Sequence, residues 1–181
     1  MKASQVLKDE HRGIERMLSA LEREAGQIES GEEVNPAFVE QAVDFLRNFA
    51  DACHHHKEEK ELFPALERAG VPVEGGPIGV MLADHVEGRK HIRSMADNLE
   101  AYRAGDASAA GRIAASARAY VELLRGHIWK EDNVLFRMAD QMLPAAVQES
   151  LVANFDRIET EHMGPGVHER YHQMLDELDA A

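Results

Sequence analysis

Cysteine is nearly absent: Cys53 is the one thiol in 181 residues. A single thiol excludes an internal disulfide framework and a thiolate metal cluster. Aromatic residues are scarce, at 6%. β-Branched residues are also sparse, while Ala, Leu, Glu, Arg and Met are common, and helix is therefore expected. Basic charge is in deficit, with 20 Lys+Arg against 33 Asp+Glu and a net charge of −13. Such a surface repels phosphate backbones and anionic membranes, so neither nucleic acid nor a membrane is an expected partner. No apolar run approaches the roughly 20 residues of a membrane span. The opening MKASQVLKDEHRGIERML is charged throughout and has no secretory apolar region. The expected setting is cytoplasmic and reducing. What the chain has in surplus is histidine, ten in all. Histidine without cysteine points to nitrogen and oxygen metal ligation, or to pH sensing. Placement decides between them.

Four long amphipathic segments are expected. The first runs from about Ser4 to Ser30, with Val6, Leu7, Ile14, Met17, Leu18 and Leu21 on one stripe and Gly31 at its end. The second starts at Pro36 behind the cap Asn35 and runs to about Ala69, with Pro64 expected to kink it or end its regular part. Gly70 to Pro77 reads as a loop. The third runs from about Ile78 to Arg103, and the fourth from about Ala107 to Met142. Pro144 interrupts, a helix follows to about Glu161, and Gly164-Pro165-Gly166 separates a last helix ending near Leu178. Short connections between long helices predict an all-α, up-down-up-down four-helix bundle over residues 1–142. Residues 143–181 are expected as a C-terminal helical extension packed on it.

The second and fourth segments share a pattern at an offset of 73: His54–Phe63 reads HHHKEEKELF and His127–Phe136 reads HIWKEDNVLF. The first and third echo it at an offset of 74, where Glu10-His11 matches Asp84-His85. The chain thus reads as two versions of one helical hairpin, which packed face to face make a pseudo-two-fold bundle with the repeated histidines in the middle.

His54 and Glu58 are four apart, as are His127 and Glu131. On a helix such pairs lie on one face, about 6 Å apart along the axis. His11 and His85 add one imidazole from each remaining helix. Four His and two Glu are too many for one tetrahedral zinc and suit two octahedral ions sharing carboxylates. His55 with Glu59 is also an i,i+4 pair, but on a face rotated by about 100°. If only one face points inward, the Leu62-Phe63 register selects His54 and leaves His55 and Glu59 behind the ligands or outside. Cys53, Tyr120 and Trp129 are expected to pack, and His91, His168 and His172 to lie at the surface.

As a set, these residues resemble the hemerythrin-like, or HHE cation-binding, family over about residues 4–140. The pattern H…HxxxE…H…HxxxE is met by His11, His54, Glu58, His85, His127 and Glu131. His54-His55, Lys57, Glu58-Glu59 and Leu62-Phe63-Pro64 match further parts of it. The resemblance implies a non-haem di-iron centre, two iron ions with bridging carboxylates, and O₂, NO or peroxide as the small ligand. Oxygen-carrying members have a fifth histidine four residues after the third-helix one; that position here is Arg89. They also use an Asp five residues after the last histidine. Asp132 stands there and competes with Glu131, which the internal repeat favours. The missing histidine argues for redox turnover over reversible oxygen carriage, and Glu159, Glu161 or His162 could complete the site. The expected function is reaction with O₂, peroxide or NO in stress defence or sensing. The alternative is a carrier of oxygen or iron without turnover. A reductant would be a further partner, and a homodimer is an allowed assembly.

Overall fold

The computed structural model describes residues 1–162, 164 and 166–180. Helix α1, Ala3–Glu29, buries Leu7, His11, Ile14, Leu18, Leu21, Ala25 and Ile28 along one stripe. Gly31 ends the turn after it at φ 98°, a conformation that only glycine adopts without cost. Helix α2 covers residues 36–68. The Asn35 side chain caps it by accepting the Phe38 N–H at 3.2 Å.

This second helix changes pitch along its length. Pro36–Phe45 is α-helical, Leu46–His55 and Glu58–Leu62 are π-helical, and Phe63–Arg68 is α-helical again. π-Turns are rare in soluble helices and concentrate at functional sites. The helix runs on past Pro64 to Arg68, so of the two expected outcomes, a kink or an end, Pro64 does not bring the end. The Phe63 N–H bonds the Glu58 carbonyl, five residues back. Pro64 follows directly in the new register, at a first-turn position where its missing N–H costs little.

Helix α3 is Pro77–Arg103. Helix α4 covers residues 109–142: Ala109–Lys130 is α-helical, Glu131–Leu135 π-helical and Phe136–Met142 α-helical. Helices α5, Ala145–His162, and α6, Val167–Ala180, complete the chain. Among the described residues there is no strand, and no helix is long and apolar enough to cross a membrane. The first four helices form the up-down-up-down bundle.

The core is split in two. One apolar cluster contains Ile14, Leu18, Phe45, Phe49, Met95 and Leu124. The other contains Leu7, Leu62, Phe63, Met81, Leu135 and Phe136. A polar layer separates them, because each bundle helix breaks its apolar stripe at the same depth: His11 falls between Leu7 and Ile14, and His85 between Met81 and Ile92. The two outer helices continue both cores. Leu151 and Phe155 of α5 join the second cluster, and Tyr171, Met174 and Leu175 of α6 join the first. Tyr171 packs edge-on to Phe45, and its hydroxyl donates to Asp44 at 2.9 Å. Each large apolar side chain buried this way contributes about 1.5–3 kcal/mol.

Candidate metal centre

The polar layer holds His11, His54, Glu58, His85, His127 and Glu131, all buried. They fall into two groups whose ligand atoms lie within 4.8 Å of one another. One is His11, His54, Glu58 and Glu131; the other is His55, Glu58, His85 and His127. Glu58 belongs to both. Its Oε1 lies 3.4 Å from His54 Nε2, and its Oε2 lies 3.4 Å from His85 Nε2. Glu131 also spans the groups, with Oε2 3.2 Å from both His11 Nε2 and His127 Nε2.

Behind the imidazoles stands a ring of carboxylates. His11 Nδ1 meets Asp132 at 2.8 Å, His54 Nδ1 meets Glu10 at 2.7 Å and His85 Nδ1 meets Glu59 at 2.7 Å. His55 Nδ1 meets Asp51 at 3.3 Å, and His127 Nδ1 meets Asp84 at 3.2 Å. An ionised carboxylate only accepts, so each Nδ1 keeps its proton and each Nε2 is the atom left for a metal. Every carboxylate has a cation in turn. Arg12 pairs with Asp132, Lys57 with Glu10, and Lys130 with Asp84. Arg89 pairs with both Asp51 and Glu59. The pseudo-two-fold of the sequence is visible in this ring. Glu10 and Lys57 serve His54 as Asp84 and Lys130 serve His127, and Asp132 serves His11 as Glu59 serves His85.

The donor set fits cations. His11 Nε2, His54 Nε2 and all four oxygens of Glu58 and Glu131 are buried without a hydrogen-bond partner. Unpaired polar atoms in a dry core are costly, and bound metal would satisfy them. His85 Nε2 and His127 Nε2 face each other at 3.2 Å, close enough to share a proton or to turn together to one cation. The electrostatics of the pairs agree. Burial would lower the pKa of His54, but the Glu58 charge and the Glu10 hydrogen bond raise it to about 10. His127 rises to about 10 as well, because the Glu131 charge and the Asp84 contact overcome its burial. Burial would raise the Glu58 carboxyl, yet the facing imidazoles of His54 and His85 hold it well below the usual range. His55 goes the other way: burial and the neighbouring His85 hold its pKa well below the usual imidazole value.

His55 corrects the sequence expectation. Its spacing puts it behind the ligands or outside, whereas the structure buries it in the second group, stacked on His85 with ring centroids 3.9 Å apart. The face argument assumes α-helical pitch and a narrow inward face. His54 and His55 close a π-helical stretch, where consecutive side chains diverge less. They straddle the inward direction: His54 faces Glu10 and His11 of α1, and His55 faces His85 of α3. A signal was present in the i,i+4 pair Asp51–His55. Arg89 brings no imidazole, but it holds the carboxylate behind His55.

Asp132 turns its carboxylate to His11 Nδ1 and leaves the middle to Glu131. Glu159 of α5 reaches Lys57 at 3.2 Å, and Glu161 is exposed. The side chain of His162 lies outside the described residues. Glu159 also comes together with Glu10 and His168. There the Lys57 ammonium already sits on both carboxylates, where a cation would have to bind. Tyr120 is buried, Cys53 packs in the interior with its thiol pushed up to about 12 mainly by burial, and Trp129 is exposed rather than packed. His168 and His172 are half-buried against Phe49.

Comparison with known proteins agrees with this centre. The hemerythrin HHE cation-binding domain model matches residues 2–139. Uncharacterized proteins of Mycobacterium bovis and Mycobacterium tuberculosis are 23% identical over 162 residues, covering 90% of this chain and 63% of theirs. The chain therefore spans a little under two thirds of the length of these relatives. With a bundle of the right topology, a buried layer of imidazoles and carboxylates, and a family match over most of its length, the chain belongs to the hemerythrin HHE cation-binding domain family.

Proposed function

We propose that the protein is a non-haem di-iron protein that reacts with O₂, peroxide or NO, in defence against oxidative or nitrosative stress or in sensing it. The observation that carries this reading is the shared carboxylate Glu58, whose two oxygens face imidazoles of different groups. A carboxylate so placed would offer one oxygen to an ion in each group. Five imidazoles with two carboxylates suit iron, with manganese as the nearest competitor. Two adjacent iron ions, when bound, supply paired one-electron changes to a small ligand.

The chain's own residues do the rest. The ligand side chains are buried, so bulk water is kept away from them. Asp132, Glu10, Asp51, Glu59 and Asp84 fix each imidazole in orientation and tautomer. Phe136, stacked on His11 with centroids 5.4 Å apart, and Phe63, 5.9 Å from His85, wall the centre on the side of the second core.

Reversible binding of oxygen or iron without turnover is the second reading. His55 favours it, because it supplies the fifth imidazole that Arg89 does not. The test is an absorption spectrum of the iron-loaded, reduced protein mixed with one equivalent of O₂ and followed from milliseconds to hours. Rapid passage to a stable ferric spectrum supports turnover, with peroxide and NO as the next substrates. A coloured adduct lasting hours and reversed under vacuum supports carriage. Failure to bind two irons per chain overturns both.

A further inference from the structure

The internal repeat is broken at three residues that touch one another. At the offset of 73, Asp51 and His55 correspond to Leu124 and Ile128, both buried and apolar. At the offset of 74, Arg89 corresponds to Glu15. The three departures form one connected chain. His55 Nδ1 lies 3.3 Å from Asp51 Oδ1, and Arg89 Nε lies 2.8 and 3.1 Å from the two Asp51 oxygens. Arg89 Nη2 donates to Glu59 Oε1 at 2.7 Å, the same oxygen that faces His85 Nδ1 at 2.7 Å. One guanidinium therefore backs two carboxylate–imidazole pairs, one on α2 and one on α3.

The other half of the bundle shows what was changed. There Arg12, next to His11, backs a single pair, Asp132 with His11. The position on α3 that matches Arg12 is Val86, which is exposed and carries no charge. The cation has moved about one turn along α3, from position 86 to position 89. From there it reaches the carboxylates of both His85 and the added His55.

We infer that Arg89 is a positioning residue for the three-imidazole group: it sets the orientation of His55 and His85 together and so sets the metal affinity of that group apart from the other. The inference rests on the two-ion reading above. The planar guanidinium presents five donors in a fixed fork and can bind two carboxylates at once. A lysine ammonium is a point charge and cannot hold both in register. Loss of such an outer partner lowers metal affinity by roughly 10–100-fold. His11 and His54 make no contact with Arg89 or its carboxylates, so their group keeps its affinity.

The test uses Co²⁺ as probe on the full chain, with wild type, Arg89→Gln and Arg89→Lys. Titrations are followed by visible absorption and by proton NMR of the hyperfine-shifted, exchangeable imidazole N–H signals. Wild type is expected to bind two Co²⁺ with five such signals. Fewer than two overturns the two-ion reading and this inference with it. In Arg89→Gln one Co²⁺ should bind as in wild type and the other roughly 10–100-fold more weakly. The N–H signals of His55 and His85 should exchange faster while those of His11, His54 and His127 persist. Arg89→Lys should fall between. Equal weakening of both ions, or unchanged binding of both, overturns the inference alone. Arg103→Gln removes a similarly exposed, ion-paired arginine at the far end of α3 and should change neither affinity.

Discussion

Glu58 and Glu131 bring four carboxylate oxygens into the middle of the bundle, all buried and none with a hydrogen-bond partner. Each carboxylate faces imidazole nitrogens 3.2–3.4 Å away. Two unscreened negative charges in a dry core are expensive, and surrounding imidazolium charge offsets only part of that cost. The metal-free fold therefore carries strain that cations relieve.

Metal should accordingly stabilise the fold. Binding at a free concentration about a hundred times Kd adds about 2.7 kcal/mol per ion. For a chain of this size that is a rise in Tm of roughly 5–10 °C for each ion bound. Calorimetry with redox-quiet Mn²⁺ and then with chelator checks it, and equal Tm values would contradict it.

Removing the shared carboxylate should cost more metal than removing an imidazole. Glu58→Gln should retain less than one ion per chain after desalting, and His11→Ala should retain about one. His91→Ala, at a half-buried histidine away from the centre, should retain both. Metal analysis of the desalted proteins reads the difference.

The two repeated lysines should not be equivalent. Lys57 is fully buried between Glu10 and Glu159, while Lys130, on Asp84, is 38% exposed. Lys57→Ala strips the buried Glu10 of its ammonium and leaves it only the His54 contact, which should cost about 3 kcal/mol. Lys130→Ala breaks a partly solvated pair and should cost about 1 kcal/mol or less. Urea unfolding of the two metal-free variants separates them, and equal midpoints would refute the asymmetry.

Gly111 lies inside a helix, without positive φ, and a Cβ added there would meet nothing within 4 Å. Gly111 stands in the first turn, so Gly111→Ala should raise stability by about 0.5 kcal/mol, less than in a helix interior. Thermal unfolding should show a gain of roughly 1–2 °C.

Much of this was legible before the fold. The six candidates from the repeat lie together because each sits one helical turn from a core residue, and apolar periodicity fixes depth as well as face. The placement of Glu131 rather than Asp132 in the middle of the bundle matches the repeat, which pairs Glu131 with Glu58. His55 was not legible, because counting 100° per residue presumes an unbroken α-helix, and nothing in FADACHHH announces a π-turn. The roles of Glu10 and Asp84 were hidden for another reason. Each precedes a histidine in sequence but supports a histidine on the neighbouring helix. Pairing across helices leaves no local spacing to read.

The ring of carboxylates crosses between helices: Asp132 serves His11, and Glu59 serves His85. Two identical hairpins about an exact two-fold axis would be bound to carry every change twice. A His55 on one would force a second opposite, crowding the centre with six imidazoles. A single continuous chain is released from that obligation. Asp51, His55 and Arg89 stand on one side only, with leucine, isoleucine and glutamate on the other. The bundle can thus keep the mutual bracing of a symmetric pair while giving its two ends different chemistry.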